Sequence, residues 1–434
     1  AQFNAVSTRL ASTTEYRTIH LNNDEEIKLF YNAYGRQDWE LILDNFRSHN
    51  IMWDINKTKE WLNNHHNFKV ALDETKTLLK QGWGDFQLEK VTVHNKVESV
   101  TKDKLQTGKT FKLTDTSVRI IVWQRYCIAA VFSPIFLEAK ARLKTILKPK
   151  IHYVDGMTAT TVAKLVRTIK GKCVFFEDDL SKQDKQTDAE MISLEMGIYK
   201  TLGVNSDIID FWKRTHSTWR YKGLQLHGKQ KAMRLTGQVT TALGNVITNL
   251  NCHKRLILRN ENYIELALFL GDDIMLINNN YLDTDNLKSE IKQHYNMLSK
   301  DSQANVGQFI SFLFCNSDNG IIMCPDLVRL RDKFVSPGLK QNDISRETRI
   351  LSYLTLIGNT NHTNKIAENL GYKVELPTWQ NIWSSCAACA WRYDMSIEAV
   401  YETYLQLMYM LTSKPITIEF THWISKPLLR NRKK

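Results

Sequence analysis

The turn Gly271-Asp272-Asp273 lies between two apolar runs, Ile264-Glu265-Leu266-Ala267-Leu268-Phe269-Leu270 and Ile274-Met275-Leu276-Ile277. Each run suits a short buried strand, so the pair reads as a hairpin with two carboxylates at its tip. Burying adjacent carboxylates costs free energy unless a cation or hydrogen bonds compensate, and a divalent cation is the simplest compensation. A second acidic group, Glu177-Asp178-Asp179-Leu180-Ser181-Lys182-Gln183-Asp184, follows a strand expected over Lys172-Cys173-Val174-Phe175-Phe176. Three consecutive acids at a strand end repel each other without a cation. If Asp179 closes that strand, it points into the same cleft as Asp272. Carboxylates on neighbouring strands then bridge two Mg²⁺ ions roughly 3.5–4 Å apart, which suits in-line phosphoryl displacement. Asp184, five residues on, is placed to accept a hydrogen bond from a ribose hydroxyl. Taken alone, Asp179 reads as part of an acidic surface loop.

The third group, Thr236-Gly237-Gln238-Val239-Thr240-Thr241-Ala242-Leu243-Gly244-Asn245, has the spacing T-G-x3-T-x3-N. A glycine loop that opens into a helix lets the backbone approach a nucleotide closely. Thr241 and Asn245 are i, i+4 on that helix and face the same way. Both can hydrogen-bond a sugar hydroxyl; the alternative is a glycine-capped helix with polar residues facing solvent.

These groups need a scaffold. The 434 residues, 43% hydrophobic, exceed one simple domain and suit several subdomains around a shared cleft. The net charge of +12 and a pI of about 9.2 suit a polyanionic partner such as nucleic acid, or an anionic membrane surface. Charge alone does not exclude a merely soluble basic protein. No apolar run is long enough to span a bilayer, and no signal peptide is visible. The seven cysteines are odd in number and irregularly spaced, as expected in a reducing compartment. Cys386-Ala387-Ala388-Cys389 has no second CxxC or HxxxH beside it, so buried cysteines at i, i+3 on a helix are favoured over a zinc half-site. The chain begins Ala1-Gln2-Phe3, which fits a processed product or a cut from something longer.

Residues 24–82 have a helical pattern, 86–125 look more extended, and 132–147 return to helix. Helices are expected near 188–203, 206–215 and 285–299, and the segment 234–257 becomes helical after its Thr236-Gly237 turn. A strand pair, Phe309 to Phe314 and Ile321 to Cys324, is joined by the turn Asn316-Ser317-Asp318-Asn319-Gly320. From about 341 the chain is mostly helical and ends in the basic tail Lys426, Arg430, Arg432, Lys433 and Lys434, which reads as a solvated end.

The order D-x4-D, T-G-x3-T-x3-N, GDD resembles motifs A, B and C of viral RNA-dependent RNA polymerases, most closely the alphavirus-like superfamily that includes togaviruses and tobamoviruses. Motif A of that group typically reads like ETDIxxFDKSQ, against Glu177 to Gln186 here, and motif B resembles SGDVTTFIGNT, against Thr236 to Val246. Phe132-Ser133-Pro134-Ile135-Phe136 and Lys140-Ala141-Arg142-Leu143 resemble the segment after motif F, and the strand pair around Asn319-Gly320 resembles motif E. The likeness covers roughly residues 105–340. Gln183 departs from the usual aromatic, Gln186 follows Lys185 where Ser is common, and Thr236 replaces Ser while keeping the hydroxyl.

The resemblance implies an α+β right-hand fold: fingers, a palm with an antiparallel sheet and flanking helices, and a helical thumb. Its boundaries are fingers over 1–164, with a basic NTP-entry segment at about 105–128; palm over 165–335, with a fingers insertion at about 205–235; and thumb over 336–434. It implies two-metal nucleotidyl transfer from NTPs to an RNA 3′ end, with Mg²⁺ as cofactor and Mn²⁺ as a substitute. By position, Asp179 and Asp272 are the metal ligands, with Asp273 assisting. Asp184 and Asn245 select ribose, and Thr236, Gly237 and Thr241 line the nucleotide site. Lys300 is a candidate general acid for pyrophosphate, and Arg119 and Arg125 are candidate triphosphate binders. On its residues alone Lys300 is equally an ordinary surface lysine.

The implied partners are template and product RNA, NTPs, and capping and helicase proteins in membrane-associated replication complexes of a host cytoplasm. The alternatives are a reverse transcriptase, an inactive palm that binds RNA, and a terminal transferase. Retention of Asp179, Asp272 and Asp273 argues against the inactive palm, and Asp184 with Asn245 favours ribonucleotides over a reverse transcriptase.

Overall fold

The computed structural model describes residues 14–64, 68–81, 89–95, 120–222, 227–231, 233–317, 320–335, 343–357 and 379–412. In chain order the helices are α1 (Asn23–Tyr34), α2 (Trp39–Ser48), α3 (Ile55–Asn63), α4 (Phe68–Gln81), α5 (Tyr126–Ile146), α6 (Ala159–Arg167), α7 (Gln183–Gln186), α8 (Ala189–Thr201), α9 (Ser206–Thr215), α10 (Thr241–Arg259), α11 (Leu287–Tyr295), α12 (Leu327–Val335), α13 (Asp343–Ile357), α14 (Trp379–Arg392) and α15 (Ile397–Thr412). The strands are β1 (Lys90–Asn95), β2 (Ile120–Trp123), β3 (Ile151–Tyr153), β4 (Val174–Asp178), β5 (Thr218–Lys222), β6 (His227–Lys231), β7 (Ile264–Leu270), β8 (Asp273–Asn278), β9 (Ser302–Ala304), β10 (Val306–Phe309), β11 (Phe312–Ser317) and β12 (Gly320–Pro325). The fold is mixed α+β. It divides into two compact units: unit 1 holds Ala1–Glu98, Thr110–Asp155 and Asp178–Ser302, and unit 2 holds Ser99–Lys109, Gly156–Glu177 and Gln303–Lys434.

In unit 1, β7 and β8 form an antiparallel hairpin, and β3 runs parallel to β7 with Ile151 beside Ala267. A second sheet has the order β2-β1-β5-β6 and buries Val91, Val93, Ile120, Val122 and Trp219 on one side with Met233 and Leu235. Local signals start several helices: Asp54, Asp188 and Asn205 each cap the helix that follows by accepting its first free N–H groups.

Helix α10 packs against α1, α8, α11, β7 and β8 and is buried from Leu243 to Lys254. A helix buried all round is expected to be apolar, yet this one buries Asn245, Asn249, Asn251, His253 and Lys254. Each therefore needs a polar partner. Lys254, for example, ion-pairs with Glu26 on α1, and burial lowers its pKa to about 8. An amino-terminal strap closes over the same unit. Tyr16 donates its N–H to Asn296 Oδ1 at 2.6 Å, and Gln186 Nε2 donates to the Thr14 carbonyl at 2.9 Å.

Unit 2 has its own core. Strands β10, β11 and β12 form an antiparallel sheet whose Leu313 and Cys324 pack with Leu354, Cys386, Cys389, Tyr404 and Leu407 of the helices. Cys386 and Cys389 are buried neighbours on α14, as their spacing suggested.

The structure corrects several sequence expectations. The strand expected to end at Phe176 continues to Asp178, and Asp179 lies just beyond it. The helix expected after the Thr236-Gly237 turn begins at Thr241, because Thr236 and Gly237 pair with the β2 region. The run Phe309 to Phe314 is broken at Ile310 and Ser311, both at positive φ, which turns β10 into β11. Arg119, most of the basic segment at 105–128, the turn residues 318 and 319, and the basic tail lie outside the described residues.

Candidate active site

Leu270 pairs with Asp273, so Gly271 and Asp272 are the two central residues of the turn. Gly271 has φ +60 and Asp272 is not at positive φ. That combination is a type II′ turn, which matches the right-handed twist of the flanking strands and favours glycine first. Asp272 and Asp273 are both exposed. The burial penalty expected for these carboxylates therefore does not arise, because the apolar runs end before the acids begin. The turn is tied down from beneath: Asn249 Nδ2 on α10 donates to the Asp272 carbonyl at 3.0 Å.

The three consecutive acids at 177–179 each find a separate basic partner. Glu177 makes a two-pronged ion pair with Arg392 in unit 2, at 2.8 and 3.0 Å. Asp178 is buried, 2.8 Å from His253 Nε2. Asp179 is exposed and meets Lys300 Nζ at 3.2 Å. Alternation along a strand, which sends neighbouring side chains to opposite faces, accounts for the separation.

Past Asp179 the chain reverses through Lys182 at φ 54 and enters α7. Asp184 on α7 accepts a hydrogen bond from Asn245 Nδ2 at 2.9 Å. Gln183 Nε2 donates to the Asn245 carbonyl at 2.8 Å. Asn245 Oδ1 and Gln183 Oε1 remain buried acceptors without a hydrogen-bond partner among the described residues. Two unused acceptors beside the Asp184 carboxylate suit a hydroxyl donor.

The loop before α10 is held differently. Thr236 Oγ1 accepts the Val122 N–H at 3.0 Å. A Cβ on Gly237 would lie 2.7 Å from the Val122 carbonyl oxygen, so the close approach requires glycine. Thr241 Oγ1 donates to the Leu235 carbonyl at 2.6 Å and accepts the Gln238 N–H at 3.1 Å. Gln238 Oε1 accepts the Leu235 N–H at 2.9 Å, and its Nε2 lies 2.7 Å from His216 Nε2. An amide nitrogen only donates, so His216 Nε2 accepts while Nδ1–H donates to the Trp212 carbonyl at 2.8 Å. Burial lowers the His216 pKa to about 4, consistent with this neutral form.

The structure thus joins Asp184 to Asn245, and Asp179 to Lys300. Thr236 and Thr241 are engaged in hydrogen bonds with the backbone around this loop, and Gly237 lies close to the Val122 carbonyl. Arg125 precedes α5 and lies 3.6 Å from Glu74. Among the described residues, no group of three or more His, Cys, Asp or Glu stands close enough to hold a metal ion. The donor set nevertheless fits a hard cation: Asp179, Asp272 and Asp273 offer only exposed carboxylate oxygens, and the Lys300 ammonium already stands against Asp179. Sequence reasoning missed Asp178, His253 and Asn249. The available signal was the interleaving of Asn249, Asn251 and His253 with Val246, Ile247, Leu250 and Leu256, which leaves no clean solvent face.

A family model described as RNA dependent RNA polymerase matches residues 26–396. The chain is 26% identical over 239 residues to the "Replicase large subunit" of Odontoglossum ringspot virus (isolate Korean Cy), covering 54% of this chain and 15% of that protein. It is 26% identical over 269 residues to the "Replicase polyprotein 1ab" of Beet yellows virus (isolate Ukraine), covering 58% and 8%. Against the "Replicase polyprotein 1ab" of Grapevine leafroll-associated virus 3 (isolate United States/NY1) it is 25% identical over 305 residues, covering 69% and 10%. The chain therefore spans only a small part of the length of these relatives. With the family match extending across most of its length, the chain belongs to the RNA-dependent RNA polymerase family of viral replicases.

Proposed function

We propose that this chain performs template-directed RNA synthesis in viral genome replication and transcription, joining nucleoside monophosphates to an RNA 3′ end and releasing pyrophosphate. The observation that carries this reading is the hydrogen bonding of α10. One turn of the helix holds the Asp272 turn, and the next holds the strand end that presents Asp179. Bound Mg²⁺, or Mn²⁺ in its place, would supply Lewis-acid activation of the attacking hydroxyl and stabilisation of the leaving phosphate. Asp179, Asp272 and Asp273 would hold it.

The chain's own residues do the rest by positioning and charge. Asp184 accepts a hydrogen bond from a ribose hydroxyl, and the unused Asn245 Oδ1 offers a second acceptor. Gly237 lets the loop backbone lie close to its neighbours without a side chain intervening. The Lys300 ammonium, released from Asp179, has a proton to give to the departing pyrophosphate oxygen. Arg125, with Arg119, supplies positive charge for the triphosphate.

In this reading the chain is a right hand: fingers over 1–164, palm over 165–335 with an insertion at about 205–235, and thumb over 336–434. It would work with capping and helicase activities in membrane-associated replication complexes of the host cytoplasm. No helix among the described residues is long and apolar enough to cross a membrane, so attachment would come through those partners or through the basic surface.

The test is incorporation of NTPs on a primed RNA template with Mg²⁺, comparing wild type with Asp272→Asn. Extension by wild type that the variant loses supports the reading. Equal extension by both rules out the metal role assigned to Asp272. Efficient use of dNTPs would turn the assignment to a reverse transcriptase, and RNA binding without extension to an inactive palm.

A further inference from the structure

The Asp178 and His253 side chains are both fully buried. Asp178 Oδ2 lies 2.8 Å from His253 Nε2, and Oδ1 accepts the Lys300 backbone N–H at 2.7 Å. His253 Nδ1 lies 2.8 Å from the Asn249 carbonyl. A carbonyl only accepts, so Nδ1 carries a proton and the ring is fixed at both ends. Four residues earlier on α10, Asn249 Nδ2 holds the Asp272 carbonyl. The two anchor points are one helical turn apart, about 6 Å along the axis. Lys300 is held twice, through its backbone by Asp178 and through its ammonium by Asp179. A buried carboxylate–imidazole pair is rarely the most stable filling for such a space, since apolar residues of similar volume often do as well or better. Its position between Asp179, Lys300 and the Asp272 turn gives it a different use.

We propose that Asp178 and His253 are positioning residues for nucleotidyl transfer, which keep Asp179 and Lys300 in register with Asp272 across one face of α10. The inference rests on the polymerase reading of this site. The pair acts through Asp179 and Lys300, and fixing ligands from behind in this way governs metal affinity in many sites.

Mn²⁺ binding to the RNA-free full chain, titrated by electron paramagnetic resonance, tests the proposal. Single-nucleotide incorporation and thermal unfolding are measured beside it. The double variant Asp178→Leu/His253→Phe removes both partners together and leaves neither charge unpaired. Its Mn²⁺ dissociation constant should rise about 10–100-fold, with kcat falling and the NTP KM held within about threefold. Asp178→Asn can still accept from the Lys300 N–H and donate to a neutral His253, so its Mn²⁺ affinity should stay within about threefold of wild type.

A folded double variant with wild-type Mn²⁺ affinity and kcat would overturn the proposal. So would an Asp178→Asn protein as impaired as the double variant, because charge rather than positioning would then be responsible. If the double variant fails to fold, His253→Gln decides. Its amide can reach Asp178 but not the Asn249 carbonyl as well, so binding should weaken about 3–10-fold, and unchanged binding refutes the idea. Asp272→Asn is the control on the underlying reading. Mn²⁺ binding and incorporation both unaffected by Asp272→Asn would mean that the polymerase site itself is misassigned, whatever the Asp178 and His253 variants do.

Discussion

Lowering the pH should loosen the loop that carries Gly237 and Thr241, through His216. The buried ring accepts from Gln238 Nε2, and burial lowers its pKa from 6.5 to about 4. Below pH 6.5 the unfolded chain binds a proton at this residue that the folded chain refuses. Stability therefore falls as pH drops from 6.5 towards 4, and the loss levels off once the folded form is also protonated. The drop from 6.5 to about 4, at about 1.4 kcal/mol per pH unit, caps the loss near about 3.5 kcal/mol, of which about 2 kcal/mol falls between pH 7.5 and pH 5. Protonation also turns Nε2 into a donor facing another donor, so the Gln238 side chain must let go of the ring. The assay is the urea midpoint at pH 7.5 and pH 5 for wild type and for His216→Gln, which keeps one donor and one acceptor but does not titrate. Other acidic groups contribute equally to both proteins and cancel in the comparison. The variant should lose about 2 kcal/mol less than wild type over that interval. Identical losses in the two proteins would refute the reasoning.

Three further outcomes follow from the same geometry. Gly237→Ala places a Cβ 2.7 Å from the Val122 carbonyl oxygen, so it should cost about 1–3 kcal/mol in chemical denaturation and slow incorporation more than it weakens RNA binding. Asn245→Ala removes the donor to Asp184 and a nearby acceptor; competition assays should show the preference for NTPs over dNTPs falling at least about tenfold. Glu195→Ala strands Arg234, whose guanidinium is fully buried against it, and should cost about 3–5 kcal/mol, read as a lower Tm.

The hairpin was legible in the sequence because apolar residues stop abruptly at Gly271 and resume at Ile274, leaving few ways to place the acids. Helix α9 matched expectation from 206 to 215, where Asn205 supplies a clear start. The break at Ile310 and Ser311 was not legible: a β-branched residue at φ 47 contradicts local preference, and the two-residue turn that joins β10 to β11 is what demands positive φ at both positions. Nor could composition say which of Glu177, Asp178 and Asp179 turns inward. That depends on the strand running two residues past Phe176, and alternation then assigns Asp178 to the interior. The partner of Asp178 lies 75 residues away, a separation at which one sequence carries no pairing signal. Thr241 was legible only in part. Its spacing to Asn245 was read correctly, but its hydroxyl is engaged by the loop that precedes it.

The strap that opens the described chain has a consequence for how the protein is made. Tyr16 waits 280 residues for Asn296, and the Glu26 carbonyl waits 228 for the Lys254 ammonium. At about 5–20 residues per second, translation delivers the second partner roughly 10–60 s after the first. Through that interval the surfaces of α1 that will cover α10 have no native partner. Contacts of such long range also slow the search for the native state once synthesis is complete. Unit 1 should therefore form late and nearly all at once, close to the emergence of Lys300, so that a nascent chain stopped before α11 would be captured by chaperones or proteases and would hold no partial site.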